Sequence, residues 1–362
     1  MKTNDFFFEL PAHLIAQYPP QQRGQSRLMA LDRASGKRRH AMVTDLPRLL
    51  RPGDLLVFND SKVRKARIIG ISQTSGAKAE FLLLSPHFRT RAFEQVPSLS
   101  EAISSSGTTW KALVQRARRR RPGSRYIFYD AEGREIARAE ITGGEGEFRF
   151  LAFDRPIDDA WLDRYGCIPL PPYIRREDEP ADTERYQTVY AAVPGSTAAP
   201  TAGLHFTREL LGRLAAAGIE SVFITLHVGL GTFLPVRSEH IEDHVMHEEL
   251  FSIGGESAVK IEQAKAEGRR LIAVGTTSVR TLESAWDSGR LRRGPAFTSI
   301  FIYPGYRFKA VDALFTNFHT PKSTLLMLTA AFAGRELIQE SYAEAIREGY
   351  RFFSYGDSML IV

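Results

Sequence analysis

The sequence predicts an α/β protein: a mixed-sheet body with a small antiparallel β-barrel inserted into it. Three observations carry this. From residue 155 onward, apolar strand-like runs alternate with amphipathic helical stretches, the pattern of a mainly parallel or mixed sheet with helices packed on it. Between 66 and 154, short runs of alternating apolar and polar residues follow one another with no helix between them, which suits a barrel. The chain of 362 residues, 43% hydrophobic and 25% charged, is long enough for about two globular units. We therefore expect a discontinuous body of residues 1–65 and 155–362, with 66–154 as the insert.

The elements follow in order. "PGDLLVFNDSKV" reads as a buried strand over Leu55 to Phe58, closed by a turn at Asn59-Asp60-Ser61. "AEFLLL", "WKALVQ", "RYIFYD", "EIARAEI" and "GEFRFLAF" are the barrel strands, with a Ser-rich surface loop near 85–109 between the first two. "RPIDDAWLDRYG" puts Ile157, Trp161, Leu162 and Tyr165 on one helical face. Thr207 can cap the helix "RELLGRLAAAG", which stops at Gly218, and "SVFITLHV" follows as a strand. Helix "ESAVKIEQAKAEG", strand "RRLIAVG", a helix opening in "TTSVRTLESAW", and strands "TSIFIY" and "DALFTNF" come next. Two helices between 322 and 348 and the strand "DSMLIV" complete the body.

Composition narrows the function. No apolar run reaches the roughly 18 to 20 residues of a membrane span, and "MKTNDFFFELPAHLI" is neither a secretory nor a mitochondrial leader. Cys167 is the sole cysteine, so no intrachain disulfide forms; with no basic residue within "YGCIPLPPY" it reads as a packed thiol in a cytoplasmic protein. The net charge of +6 is uneven. Residues 1–65 hold 12 Lys/Arg against 6 Asp/Glu, residues 66–154 hold 14 against 10, and residues 155–362 hold 22 against 26. The positive excess therefore lies in the first 154 residues, which points to a polyanion such as nucleic acid. Its densest part is "QRARRRRPGSR", where Arg116, Arg118, Arg119, Arg120 and Arg121 form a cationic hairpin tip suited to phosphates.

Four stretches share one design, an apolar run meeting Gly, Thr, His or Asn: "APTAGLHFT", "ITLHVGLGTFLPVR", "LIAVGTTSVR" and "LFTNFHTPKST". In α/β proteins ligands sit beyond the carboxyl ends of strands, where helix N-termini offer free N–H groups. Gly229-x-Gly231 is not a dinucleotide fingerprint, because Phe233-Leu234-Pro235 stands where the helix should open. "HIEDHVMHEE" sets His240, His244 and His247 at helical spacing; metal binding is one reading and a polar helix face the other.

These motifs, with "LLVFNDSKV", "PLPPYIRR", "ERYQTVYA", "AVGTTSVRTLES", "DALFTNFHTPKSTLLML" and "YRFFSYGDSM", resemble in their order the S-adenosylmethionine:tRNA ribosyltransferase-isomerases of queuosine synthesis. The resemblance runs from residue 5 nearly to the C-terminus. It departs at Lys62 and Lys65, where the family usually carries arginine and proline. It implies an α/β body with an inserted barrel. It also implies transfer and isomerisation of the ribosyl unit of S-adenosylmethionine onto 7-aminomethyl-7-deazaguanine at the tRNA wobble position. Epoxyqueuosine-tRNA, adenine and methionine are the products. S-adenosylmethionine is then a consumed co-substrate, with no metal or further cofactor, and a monomer is expected.

That chemistry needs a base to remove a C5′ proton made acidic by the sulfonium, a task that suits histidine. His205, His227, His247 and His319 are the candidates. Thr276, Thr277 and Ser278 can hold the methionine carboxylate, with Arg280 as counter-charge. Phe206 can stack on a base, and Asn317 or Asp357 can read its edge. Thr201, Gly203, Gly229 and Gly231 are small or hydroxylated loop residues that let substrate approach the backbone. The competing classes are a metal-dependent hydrolase on His240, His244 and His247, and a non-catalytic RNA-binding protein.

Overall fold

The computed structural model describes residues 1–86, 107–229 and 236–362. It has the mixed α/β fold with a closed barrel that the sequence predicts. The body is built on a nine-stranded sheet, in the order β17-β13-β12-β3-β14-β18-β19-β1-β2. These strands are β1 (Arg27–Leu31), β2 (Arg38–Met42), β3 (Leu55–Asn59), β12 (Glu220–Leu226), β13 (Glu249–Ile253), β14 (Leu271–Val274), β17 (Gly294–Thr298), β18 (Ala313–Asn317) and β19 (Ser358–Ile361). The four middle strands β12, β3, β14 and β18 run parallel, with Val222 beside Val57, Val57 beside Ala273, and Val274 beside Phe315.

Every residue of β3, β14, β18 and β19 is buried, so these strands read as continuous apolar runs and not as alternating ones. Helices cover both faces. On one, α5 (Gly255–Ala266), α6 (Thr276–Ala285), α7 (Thr324–Ala333) and α8 (Arg335–Arg347) pack on Leu55, Val57, Ala273 and Leu314. On the other, α4 (Arg208–Ala216) lays Leu210 and Leu214 against Leu56, Phe58 and Phe315. Side-chain caps set the starts of two of these. Thr207 accepts from Leu210 N at 3.0 Å, as expected, and Ser323 accepts from Leu326 N at 3.2 Å.

The barrel closes in the order β10-β7-β6-β5-β8-β9, all antiparallel: β5 (Arg67–Ser72), β6 (Lys78–Pro86), β7 (Gly107–Val114), β8 (Arg125–Tyr129), β9 (Glu135–Gly143) and β10 (Phe148–Ile157). Its core is separate, built on Phe81, Trp110, Tyr126 and Phe128, and Leu162 of α2 (Asp159–Tyr165) packs into it. The Ser-rich stretch lies mostly outside the described residues. Ion pairs join barrel to body: Arg67 to Asp178, and Arg237 to Glu147 at 3.2 Å; Arg64 Nε meets Asp159 at 2.6 Å where the two body segments flank the barrel.

Local expectations differ from the structure in three places. The strand expected at "TSIFIY" ends at Thr298; Ile300, Phe301 and Tyr303 instead pack irregularly on the core, their apolar character serving burial without pairing. Asn59-Asp60-Ser61 is not a free turn, because Asp60 alone separates β3 from β4 (Ser61–Val63), which pairs with β11 (Val193–Ser196). "HIEDHVMHEE" is not a helix. Only Ile241–Asp243 makes a 3₁₀ turn, and the chain then runs without regular structure to β13.

Candidate active site at the carboxyl ends of the parallel strands

The carboxyl ends of β12, β3, β14 and β18 lie side by side, and the chain crosses from one side of β3 to the other between β12 and β14. That edge gathers His227, Asp60, Thr276 and Asn317 from four separate stretches of sequence.

Thr201–His205 forms a 3₁₀ turn that delivers His205 to this edge. His205 is buried; its Nδ1 lies 2.8 Å from Ser26 Oγ, and its Nε2 lies 3.0 Å from the Asn317 amide nitrogen. The Asn317 amide donates to Nε2, so the imidazole proton sits on Nδ1 and is given to Ser26. The same amide donates to Phe353 O at 3.1 Å, and its oxygen accepts the Thr201 hydroxyl at 3.2 Å. Burial holds the His205 imidazole down at about 3, helped by Arg351 and Arg23, so it is neutral at pH 7.

The small residues of the turn serve packing. A Cβ on Gly203 would come within 2.1 Å of the Tyr190 hydroxyl, so only glycine fits there. Phe206 is 0% exposed, with its ring edge-on to Phe58 and Phe315; it is a core residue here, with no face open to a base.

His319 is also buried, its Nε2 2.8 Å from the Thr316 hydroxyl, and burial lowers it to about 3. His227 is different. Both ring nitrogens are buried and, among the described residues, neither has a hydrogen-bond partner. Its ring lies on the backbone of Gly195, where a Cβ would approach Nδ1 to 2.7 Å. Burial first, and then Arg64, lowers it to about 4. His247 is exposed and edge-on to Phe148 of the barrel.

Thr276 and Thr277 open α6 after Gly275, whose φ of 90° lets the strand turn sharply into the helix. Ser278 gives its hydroxyl to Val274 O at 2.9 Å, while the Thr277 hydroxyl is buried without a partner among the described residues. One turn along, Arg280 is ion-paired with Glu249 of β13; they are 3% and 4% exposed. Burial lowers the Arg280 guanidinium to about 10, so it stays charged at neutral pH beside that carboxylate. Its Nε and Nη1 find no hydrogen-bond partner among the described residues. The Gly229 amide donates to Glu249 Oε1 at 2.9 Å, and Gly231 lies outside the described residues. Asp357 uses both oxygens on backbone amides, those of Arg27 and Arg351, each at 2.8 Å.

Two of the expected sites are dispersed. His240, His244 and His247 are not on one helix face, and no three His, Cys, Asp or Glu side chains among the described residues could hold a metal. In the basic tip Arg116, Arg118, Arg119 and Arg121 are exposed, but Arg120 is half-buried, donating to the Tyr126 hydroxyl at 3.1 Å and to Lys78 O at 3.3 Å. Sequence reading passed over Glu249, Ser26 and Asp60. Glu249 carried a signal, a glutamate opening the apolar run of β13; Ser26 carried none, since its role depends on a contact 179 residues away in sequence.

A sheet whose buried polar groups converge on the carboxyl edge of its parallel strands, with a basic barrel attached, is the architecture of an enzyme that holds its ligand at that edge. The family described as queuosine biosynthesis protein matches residues 3–361. A relative from Treponema denticola is 52% identical over the whole of both chains, and one from Anaeromyxobacter sp. is 50% identical over 100% of this chain and 99% of its own. Both are named S-adenosylmethionine:tRNA ribosyltransferase-isomerase. The crystal structure of S-adenosylmethionine tRNA ribosyltransferase from Thermotoga maritima covers 99% of this chain and 100% of its own, at 34% identity and a TM-score of 0.55. The chain belongs to the queuosine biosynthesis protein family. This bears out the resemblance read from the motifs, and with it the expectation of an enzyme of the transferase-isomerase class.

Proposed function

We propose that this enzyme moves the ribosyl unit of S-adenosylmethionine onto 7-aminomethyl-7-deazaguanine at the wobble position of tRNA and isomerises it to epoxyqueuosine, releasing adenine and methionine. The observation that carries this is full-length kinship to enzymes bearing that name, joined to a row of buried polar groups at one sheet edge. S-adenosylmethionine is consumed as co-substrate, and the proposed chemistry calls for no metal or further cofactor. The work is assigned to a cytoplasmic monomer, with residues 1–65 and 155–362 as catalytic body and 66–154 as inserted unit. Among the described residues no helix is long and apolar enough to cross a membrane.

Within this reading His227 is the base that takes the C5′ proton. What supports it over the other histidines is its lack of partners: His205 has both ring nitrogens engaged and His319 has one, whereas among the described residues both of His227 are unclaimed. Depressed by burial, it is neutral at pH 7 and has a lone pair available. Arg280, with Nε and Nη1 unpartnered among the described residues, and the N–H groups at Thr276 and Thr277 receive the methionine carboxylate. Exposed arginines of the barrel tip hold tRNA phosphates.

The test is a tRNA-dependent assay with S-adenosylmethionine and tRNA carrying the aminomethyl precursor. Adenine and methionine are expected in equal amounts, one each per modified tRNA. No adenine release would remove the proposal.

A further inference from the structure

Resting on that reading, we propose that Asp60 recognises the aminomethyl group of the wobble base and takes a proton from it, so freeing the amine to attack the ribosyl carbon.

The case begins with position. Asp60 is the residue directly after β3, between the ends of β12 and β14, so it occupies the middle of the polar edge. Its backbone is fixed on both sides: its N–H donates to Ile224 O at 2.9 Å, and its carbonyl accepts from Ala192 N at 2.8 Å. One carboxylate oxygen accepts the Thr225 hydroxyl at 2.7 Å; the other makes no hydrogen bond and no ion pair among the described residues. A half-buried carboxylate with no ion pair among the described residues and one oxygen left accessible can take a charge-assisted bond from an incoming ammonium. Burial raises its pKa from the ordinary aspartate value, against the lowering pull of the Thr225 hydrogen bond, in keeping with a group that exchanges a proton with a bound amine.

Its surroundings fit the same role. Thr225 is on β12 and His227 follows its last residue, still paired through its N–H to Leu250 O at 2.9 Å, so the alternation sets both side chains on one face, and Gly195 of β11 carries the His227 ring. The Tyr190 phenol is the ionisable group that the Asp60 charge helps to raise; Arg64, whose charge acts on His227, is paired with Asp159. Asp60, bonded to Thr225, thus lies on the face to which the alternation assigns His227, the base proposed to act on C5′.

The proton balance is simple. A primary alkylammonium titrates near 10, as lysine does, so at pH 7 the amine arrives protonated and cannot attack. Its N–H bond breaks, the electron pair stays on nitrogen, the proton passes to the Asp60 carboxylate, and solvent later removes it. The charge-assisted contact formed first selects an aminomethyl base over one lacking the amine.

The experiment uses anticodon stem-loop RNAs carrying either 7-aminomethyl- or 7-methyl-7-deazaguanine. Wild-type protein should bind the first about ten- to a hundredfold more tightly at pH 7. Asp60→Asn, which keeps the acceptor for Thr225, should lose that preference and turn over at least about a hundredfold more slowly at pH 7. Its rate should recover roughly tenfold per pH unit as the free amine accumulates, a profile that a merely structural role would not give. Equal binding of the two RNAs by wild type, or a variant with preference and pH profile intact, would overturn the inference. If Asp60→Asn does not fold, Thr225→Val replaces it: losing the hydroxyl bonded to the Asp60 carboxylate should weaken the preference for the aminomethyl RNA, and an intact preference would overturn the inference. Adenine release by wild type is scored separately, so failure of the reaction assignment and failure of Asp60 are told apart.

Discussion

Barrel and sheet treat their charges in opposite ways. On the barrel Arg125 meets Glu140 at 2.9 Å, Arg134 meets Asp130 at 2.8 Å and Arg138 meets Glu135 at 2.6 Å, with each of these arginines more than half exposed. Inside, the barrel closes on aromatic rings. At the edge of the sheet, Arg280 and Glu249 are buried together, three histidines are forced neutral, and one Asp60 oxygen is unclaimed among the described residues. Exposed pairs contribute little to stability, whereas buried polar groups cost free energy unless they are fully satisfied. The body therefore carries incompletely satisfied polar groups where chemistry is proposed, and the barrel carries solvated charge where contact with a polyanion is proposed.

The largest effect expected from this contrast falls on His227. His227→Gln should slow the chemical step roughly 100- to 10,000-fold while both substrates still bind, measured by single-turnover adenine release. His247→Gln, on the barrel-facing surface, should stay within a few fold of wild type. A reversal of these two results would move the base to the barrel side and break the contrast.

Next is the buried ion pair. Arg280→Ala strands Glu249, 4% exposed, without its cation, so a loss of about 3–5 kcal/mol in stability is expected from denaturant titration. The KM for S-adenosylmethionine should also rise about ten- to a hundredfold, with tRNA affinity intact. Arg125→Ala on the barrel, a 66% exposed partner, should cost under about 1 kcal/mol. Equal costs at the two positions would mean that burial does not set the energetics here.

The histidines give a pH dependence that belongs to the body. An unfolded histidine binds a proton below about 6.5, whereas folded His205 and His319 do so only near 3. Their folded pKa values are lowered, so the stability they contribute is complete above about pH 6.5. It is lost as pH falls toward 3, by up to about 1.4 kcal/mol per pH unit for each. Denaturant midpoints between pH 7 and 5 should show this fall. His319→Gln should make it shallower by one histidine's share, and an unchanged slope would show that His319 is protonated while folded.

Much of this division was legible in the sequence. Alternation in "RYIFYD" and "EIARAEI" gave the barrel strands, because each has one wet face, and unbroken apolar runs such as "LIAV" gave the buried sheet. The candidate edge was legible as residues but not as roles. His205 and Phe206 are neighbours in sequence, yet one reaches Asn317 and the other fills the core, since a 3₁₀ turn points successive side chains apart. The three histidines of "HIEDHVMHEE" suggested a helix face by spacing alone, whereas the chain there extends toward β13. Asp60 read as a turn because the partner strand that fixes it, β11, lies some 130 residues on and looks like a polar run.

The smallest effect on stability, and the sharpest test of what the barrel charge is for, concerns its tip. Arg118 and Arg119 lie on a short 3₁₀ turn and Arg121 follows it, all exposed, while Arg120 is tied to Tyr126. Replacing Arg118, Arg119 and Arg121 with Gln, and leaving Arg120, should change stability by no more than about 0.5 kcal/mol each. If these side chains meet tRNA phosphates, affinity should fall equally for all tRNAs bearing the precursor, because phosphate contacts carry no base information. The slope of log affinity against log salt should become shallower by roughly 0.7 to 0.9 for each contact removed. The measurement is tRNA binding by wild type and variant across a salt series. Arg120→Gln alone should do the reverse, lowering the melting temperature through the lost Tyr126 contact while leaving the salt slope nearly unchanged. An unaltered slope in the triple variant would make the tip a solvated hairpin end, and would shift the search for the RNA surface to the basic first 65 residues.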